Sequence, residues 1–277
     1  MTVDAHQHVW DLAVRDQDWI PEASPLRRDF TLDDLAPVAR AAGVDRTVLV
    51  QTITVPEETP EFLALAAAHD LIAGVVGWTD LTRPDITDEL ARLCELLGGH
   101  YLKGIRHQVQ GEPDPEWLLR PDVRRGLAAL AEAGLVYDLV VLPHQLPACT
   151  RAAADLPQLT FVLDHLGKPP IASGVLKPWA ADLRALAALP NTTAKLSGLV
   201  TEAAPGSWTV DDLRPYTDTA LEAFGPTRLM FGSDWPVCTE GATYGEVLSA
   251  AEELTAQLAE KDRIEIFEGT ANRVYGL

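Results

Sequence analysis

Eight short runs rich in Val, Ile, Leu or Thr punctuate this chain, and each is followed by a longer stretch whose apolar residues recur at helical spacing. No other feature narrows the available folds as much. Read as buried strands, the runs are Val3–Trp10, Arg46–Thr52, Ile72–Asp80, Leu102–Val109, Val136–Leu142, Thr160–His165, Thr192–Leu199 and Arg228–Asp234. The helical stretches are Leu32–Ala42, Pro56–His69, Ile86–Leu97, Val123–Ala133, Gln145–Leu156, Trp179–Leu189, Val210–Phe224 and Tyr244–Glu260. Gly43, Gly98, Gly134 and Gly225 directly follow four of them, where helix C-caps belong. Eight strand–helix repeats in 277 residues predict a (β/α)8 TIM barrel. A doubly wound open sheet shares the alternation, but one built for nucleotides wants a glycine-rich turn after its first strand. This chain has His6-Gln7-His8-Val9-Trp10 there.

A closed barrel needs all eight strands, and no Pro/Ser-rich linker or charge block divides the chain, so residues 1–277 read as one domain. The apolar share, 47%, is that of a globular protein and excludes disorder as the main state. Lys and Arg total 22 against 41 Asp and Glu, a formal charge of -19. Such a surface repels phosphate backbones, so no nucleic-acid partner is expected. Cys94, Cys149 and Cys238 are far apart and odd in number, which suggests neither a disulfide framework nor a cysteine zinc site. The opening residues lack the basic and apolar regions of a secretory signal. The most apolar stretch, Leu127–Leu142, contains Glu132 and Asp138 and is short for a bilayer. The expectation is a cytoplasmic protein without a membrane partner; a homo-oligomer is compatible with everything read so far. Two loops can cover a barrel mouth: Asp11–Phe30, and Glu112–Arg120 with Pro113, Pro115 and Trp117.

The residues able to carry chemistry fall at predicted strand ends, the position from which a barrel delivers side chains to its mouth. His6 and His8, two apart on a strand, leave the same face with Cα atoms on the order of 6.6 Å apart, close enough for both imidazoles to reach one cation. A pair of solvated histidines is the plain alternative. His165 closes the sixth run, in Asp164-His165-Leu166-Gly167-Lys168-Pro169, and strand alternation lets only one of Asp164 and His165 face inward unless the strand has ended. His165 is the expected one. Asp234 closes the eighth run before Trp235-Pro236, where its carboxylate can take a proton from water or simply cap a turn. Coincidence explains four such residues at strand ends poorly.

Beyond these four, the chain contains Asp4-Ala5-His6-Gln7-His8-Val9-Trp10-Asp11, Leu26-Arg27-Arg28-Asp29-Phe30, Lys103-Gly104-Ile105-Arg106-His107-Gln108, Lys195-Leu196-Ser197-Gly198-Leu199, Gly232-Ser233-Asp234-Trp235-Pro236 and Asn272-Arg273-Val274-Tyr275. With these motifs in this order, across almost its whole length, it resembles the amidohydrolase superfamily, in the branch of sugar-acid lactonases. The resemblance implies a barrel enzyme that hydrolyses an aldonolactone to its sugar acid. It implies His6, His8, His165 and Asp234 as ligands of one divalent metal, zinc first among candidates. It also implies Asp234 and His165 as catalytic groups, Asp234 being the general base. Relatives in this branch that work without a metal make the ion dispensable in principle, with the imidazoles then donating hydrogen bonds to the substrate carbonyl.

Two-metal amidohydrolases bridge their ions with a lysine at the end of strand four. Lys103 stands at the start of that strand, so at most one metal is expected. The resemblance favours Arg106 as a substrate clamp, a guanidinium suiting paired oxygens, with His107 and Lys168 as further substrate-binding candidates. His144, two residues past the fifth run, is the weaker candidate for the site, and His69 and His100 read as exposed. Trp10, Trp78 and Trp235 can wall a sugar face or simply pack in the core. Ser197 has no GxSxG turn around it and is no nucleophile candidate. Other functions stay open at this point: a metal-dependent decarboxylase of the same superfamily, a hydrolase of an amide or a dicarboxylate lactone, and a catalytically silent sugar-acid binding protein.

Overall fold

In the computed structural model, which describes residues 2–204 and 206–277, the eight runs form eight parallel strands paired in chain order. They are β1 Thr2–Gln7, β2 Val44–Val50, β3 Ile72–Gly77, β4 Leu102–His107, β5 Val136–Leu139, β6 Phe161–Leu163, β7 Thr192–Leu196 and β8 Leu229–Phe231. Between and after them lie α1 Leu32–Ala41, α2 Glu58–Ala68, α3 Ile86–Glu95, α4 Pro121–Glu132, α5 Leu146–Asp155, α6 Trp179–Ala187, α7 Leu199–Glu202, α8 Val210–Phe224, α9 Tyr244–Leu254, α10 Glu260–Ile264 and α11 Thr270–Tyr275. The sheet closes where the end of β1 meets the turn after β8. There the His8 N–H donates to the Trp235 carbonyl at 2.7 Å and the Asp234 N–H to the His6 carbonyl at 2.8 Å. This is the expected (β/α)8 barrel.

The strands stop earlier than the apolar runs predict. β1 ends at Gln7 instead of Trp10, β3 at Gly77 instead of Asp80, β5 at Leu139 instead of Leu142, β6 at Leu163 instead of His165, β7 at Leu196 instead of Leu199, and β8 at Phe231 instead of Asp234. In β1 and β5 the reason is that Val9, Val140 and Val141 are buried although no ladder includes them. Apolarity reports burial, and burial continues past the last ladder bond into the mouth. The helix predicted over Tyr244–Glu260 likewise stops at Leu254, and Glu260 begins a separate helix.

The interior of the barrel has two distinct halves. At the N-terminal end, Val3, Val48, Val76, Val136, Val162 and Met230 pack together and are sealed by Ala271 and Tyr275 of α11. Farther along the same strands the inward residues become charged. β1 serves both halves because its register slips between Asp4 and Gln7: Ala5 joins the apolar cluster, yet the adjacent His6 reaches Lys195 across the interior. The Asp4 carboxylate fills the seam beside this irregularity, accepting hydrogen bonds from the His6 N–H at 3.0 Å, the Ser233 N–H at 2.8 Å and the Tyr244 hydroxyl at 3.0 Å. Outside the barrel, Leu49, Val75, Ile105, Phe161 and Phe231 are buried against the helices. Among the described residues no helix is long and apolar enough to cross a membrane, and the three cysteines are free.

Candidate active site

Below the mouth lies a layer of buried charge. Lys195 of β7, fully buried, sits between two carboxylates: it donates to Asp138 Oδ2 and lies 2.9 Å from Asp164 Oδ1. Asp138 also accepts from the Tyr275 hydroxyl at 2.8 Å. Asp164 Oδ2 accepts from Arg106 Nη1 at 2.9 Å, and Arg106 is further held by Gln51, through its side-chain oxygen at 2.8 Å and its carbonyl at 2.6 Å. Two cations and two carboxylates thus cancel, as buried charges must. Burial pushes the Asp138 carboxyl up to about 6 despite Lys195. Burial also works against ionisation of Asp164, but Lys195, His6 and Arg106 outweigh it and hold that carboxyl well below its usual range.

Above this layer three imidazoles converge on one carboxylate. His6 Nε2 and His8 Nε2 are 3.1 Å apart, and Asp234 Oδ1 lies 3.7 Å from the first and 3.5 Å from the second. His165 Nε2 is 3.9 Å from the same oxygen. Bonds of about 2.0–2.1 Å in a tetrahedral zinc site put ligand atoms roughly 3.3 Å from each other, so His6, His8 and Asp234 suit one small divalent ion, with His165 beside them. The outer hydrogen bonds agree. His8 Nδ1 must donate to the Val50 carbonyl at 2.7 Å, leaving its Nε2 lone pair for the centre. His165 Nδ1 meets Ser197 Oγ at 2.9 Å, and His6 Nδ1 stands 3.3 Å from Asp164 Oδ1. Burial lowers His6 well below its usual value and His165 to about 4, so both are neutral near pH 7, as ligands or donors need to be. For Asp234, burial opposes ionisation, but His165, His8 and His6 prevail and hold the carboxyl well below the carboxylate range.

The backbone that presents these groups is unusual. His165, Leu166, Lys168 and Asp234 all have positive φ, between 51° and 58°, a region that costs ordinary residues of order 1–3 kcal/mol and persists where surroundings enforce it. This corrects the choice between Asp164 and His165. Because β6 ends at Leu163 and the chain turns left-handed at once, Asp164 enters the charged layer and His165 the mouth, so both face inward. Two glycines make room. A Cβ on Gly232 would stand 2.7 Å from His6 Cβ, and one on Gly198 would stand 2.7 Å from His165 Nδ1.

A cavity of about 400 Å³ opens above. His8, Arg106, His165 and Asp234, all buried, form its floor, whereas Trp19, His107, Glu112 and Lys168 stand higher on its walls. Both expected cover loops therefore contribute, through Trp19 and Glu112. His8, Arg106, His107, His165, Lys168 and Asp234 line this cavity, and His6 lies directly beneath it. Arg106, however, uses three of its five N–H groups on Gln51 and Asp164, and its Nη1 also lies 3.3 Å from His6 Nε2. His144 is exposed and does not line the cavity. His69 and His100 are exposed as expected. Trp10 and Trp235 are core residues, and the tryptophan that walls the cavity is Trp19. Lys103 bonds the Gly276 carbonyl at 3.2 Å, at the opposite end of its strand from the site.

Sequence reading passed over Asp138, Lys195, Gln51 and Glu112 as site residues, and set Asp164 aside in favour of His165. For Asp138 and Lys195 a signal existed: each is a charged residue inside a run that otherwise reads as a buried strand, and such residues must be paired. Gln51 and Glu112 carry no such signal.

Comparison with known proteins follows the same line. The family model described as "Amidohydrolase" matches residues 3–277. An L-fucono-1,5-lactonase of Burkholderia multivorans is 40% identical over 292 residues, covering 100% of this chain and 96% of that protein. An L-fucono-1,5-lactonase of Burkholderia ambifaria is 38% identical, covering 99% and 94%. A crystal structure of an amidohydrolase from Burkholderia multivorans with bound zinc superposes with a TM-score of 0.94 at 41% identity, covering 100% of this chain and 99% of that one.

Proposed function

The chain belongs to the amidohydrolase family, and on that footing we propose that it hydrolyses the lactone of a sugar acid, with L-fucono-1,5-lactone the first substrate to offer it. The observation that carries this reading is the floor of the cavity: one ionised carboxylate, Asp234, surrounded by three imidazoles within 3.5–3.9 Å. Asp234 takes a proton from a water molecule as that water attacks the lactone carbonyl carbon. The charge that develops on the carbonyl oxygen meets His165, whose Nε2 stabilises it as a donor while Nδ1 faces Ser197 Oγ. As the carbon–oxygen bond of the ring breaks, Asp234 returns the proton to the ring oxygen, giving the hydroxy acid. His6, His8 and Asp234 would hold a divalent ion, zinc by donor type, with His165 next to it, and such an ion supplies Lewis-acid polarisation of a carbonyl. Lys195 and Asp164 fix the orientation of His6 from behind.

The cavity wall speaks against a dicarboxylate lactone. Such a substrate brings two extra negative charges, while the lining offers Arg106, already engaged, Lys168 with Glu202 3.9 Å away, and the added carboxylate of Glu112. A neutral, hydroxyl-rich ring suits it better. Proton release is the direct test, measured on L-fucono-1,5-lactone, other aldonolactones and a dicarboxylate lactone, with metal content quantified and the assay repeated after chelation. Turnover of an aldonolactone is the expected result, and its loss on chelation would put the ion in the mechanism. Silence on all lactones, with carbon dioxide released from an aromatic acid, overturns the reading in favour of a decarboxylase.

A further inference from the structure

On the cavity wall, His107 has no free nitrogen. The Trp78 indole N–H, which can only donate, points to His107 Nδ1 at 3.0 Å. Nδ1 therefore carries the lone pair and the ring proton sits on Nε2, which donates to Glu112 Oε1 at 2.7 Å. Buried Trp117 stacks on the same ring, centroids 4.3 Å apart and planes 8° from parallel. The turn that carries Glu112 is pinned as well. The Gln110 N–H donates to the Val140 carbonyl at 3.0 Å and the Glu112 N–H to the Val109 carbonyl at 3.0 Å, while the Gln145 side chain holds the Val109 carbonyl at 2.8 Å. The product of this arrangement is a carboxylate, partly exposed in the cavity, with one lone pair occupied and the others free among the described residues.

An ionised carboxylate only accepts hydrogen bonds, and the groups on a small neutral ring that donate are its hydroxyls. Resting on the lactonase reading above, we infer that Glu112, oriented by His107, reads the hydroxyl groups of the substrate, and that the same charge turns away rings bearing a carboxylate. His107 is then a positioning residue and does not itself clamp the substrate.

The test compares L-fucono-1,5-lactone with δ-valerolactone, which has the ring and no hydroxyls. Glu112→Ala is expected to lower kcat/KM on the hydroxylated lactone about 10- to 100-fold, the effect of a lost hydrogen bond to a charged group, with the loss in KM. Its activity on δ-valerolactone stays within about twofold. Glu112→Gln, which keeps an acceptor oxygen, recovers part of the loss. His107→Phe retains the stacking on Trp117, shows the same selective KM effect, and adds nothing in the Glu112→Ala background. Equal losses on both lactones, a loss confined to kcat, or no loss overturns the inference. If the wild type opens no lactone, the lactonase reading fails separately, and calorimetric titration with L-fucose, a neutral hydroxyl-bearing ring, decides about Glu112. Weaker binding by the variant upholds its role; equal binding, or none to either protein, overturns it.

Discussion

The two halves of the barrel interior are built on the same eight strands and solve opposite problems. The N-terminal half is apolar, Val against Val with Met230, and closes itself by packing alone once Tyr275 covers it. The C-terminal half carries Arg106, Asp138, Asp164 and Lys195 in near-complete burial, and every one of them depends on the others. Apolar side chains are interchangeable within a few kcal/mol, whereas a buried charge tolerates no missing partner. Stability and chemistry are thus separated along the barrel axis, with the charged layer serving both.

The largest effect is expected at the mouth. Asp234→Asn should lower turnover about 10²- to 10⁴-fold with unchanged unfolding, measured by proton release and urea denaturation side by side; full activity in this variant would remove Asp234 from the chemistry. One layer down, Lys195→Met leaves Asp138 and Asp164 without their shared cation. A loss of about 3–5 kcal/mol in unfolding free energy is expected, and a loss below 1 kcal/mol would show that the layer is not an interdependent unit.

A third test uses pH. Glu58, at the start of α2, is buried and accepts from the Thr52 N–H at 2.9 Å, from the Thr52 hydroxyl and, at 3.4 Å, from the Ile53 N–H. Burial pushes its carboxyl up to about 7 from an ordinary 4.5. The folded protein thus binds more protons than the unfolded chain between those values, so the stabilisation from this group is complete below pH 4.5 and is lost as pH rises through about 7. That amounts to about 3 kcal/mol. Asp4 and Asp138, raised to about 6, add slopes of the same sign, so the contribution of Glu58 is the difference between wild type and Glu58→Gln in unfolding free energy from pH 4.5 to 8. Parallel curves would exclude it. Smallest of the four, Tyr275→Phe removes the hydroxyl that joins the two halves through Asp138. A loss of about 1–3 kcal/mol is expected, and no change in the denaturation midpoint would mean that the two halves are not coupled there.

The two halves also differed in how well they could be read from sequence. Alternating Val and Ile in the strand runs announce the apolar half directly, and HxH, His165 and Asp234 announce the mouth because polar residues at barrel strand ends have few other uses. The layer between was not read. Asp138 and Lys195 lie on different strands, and only the register of the closed barrel brings them together. Nor could alternation assign Asp164 and His165, because the outcome depends on where β6 ends and on a left-handed turn that no side-chain pattern announces. Glu112 looks like any loop glutamate until the Trp78 N–H fixes the tautomer of His107.

The barrel's closing bonds run between His8 and Trp235 and between His6 and Asp234, so the seam and the floor of the cavity are one object. Two of the imidazoles stand on or directly after β1, and their carboxylate partner follows more than two hundred residues later. During synthesis the seam can therefore close only after β8 is made, and the onset of turnover timed against translation would report the moment of ring closure.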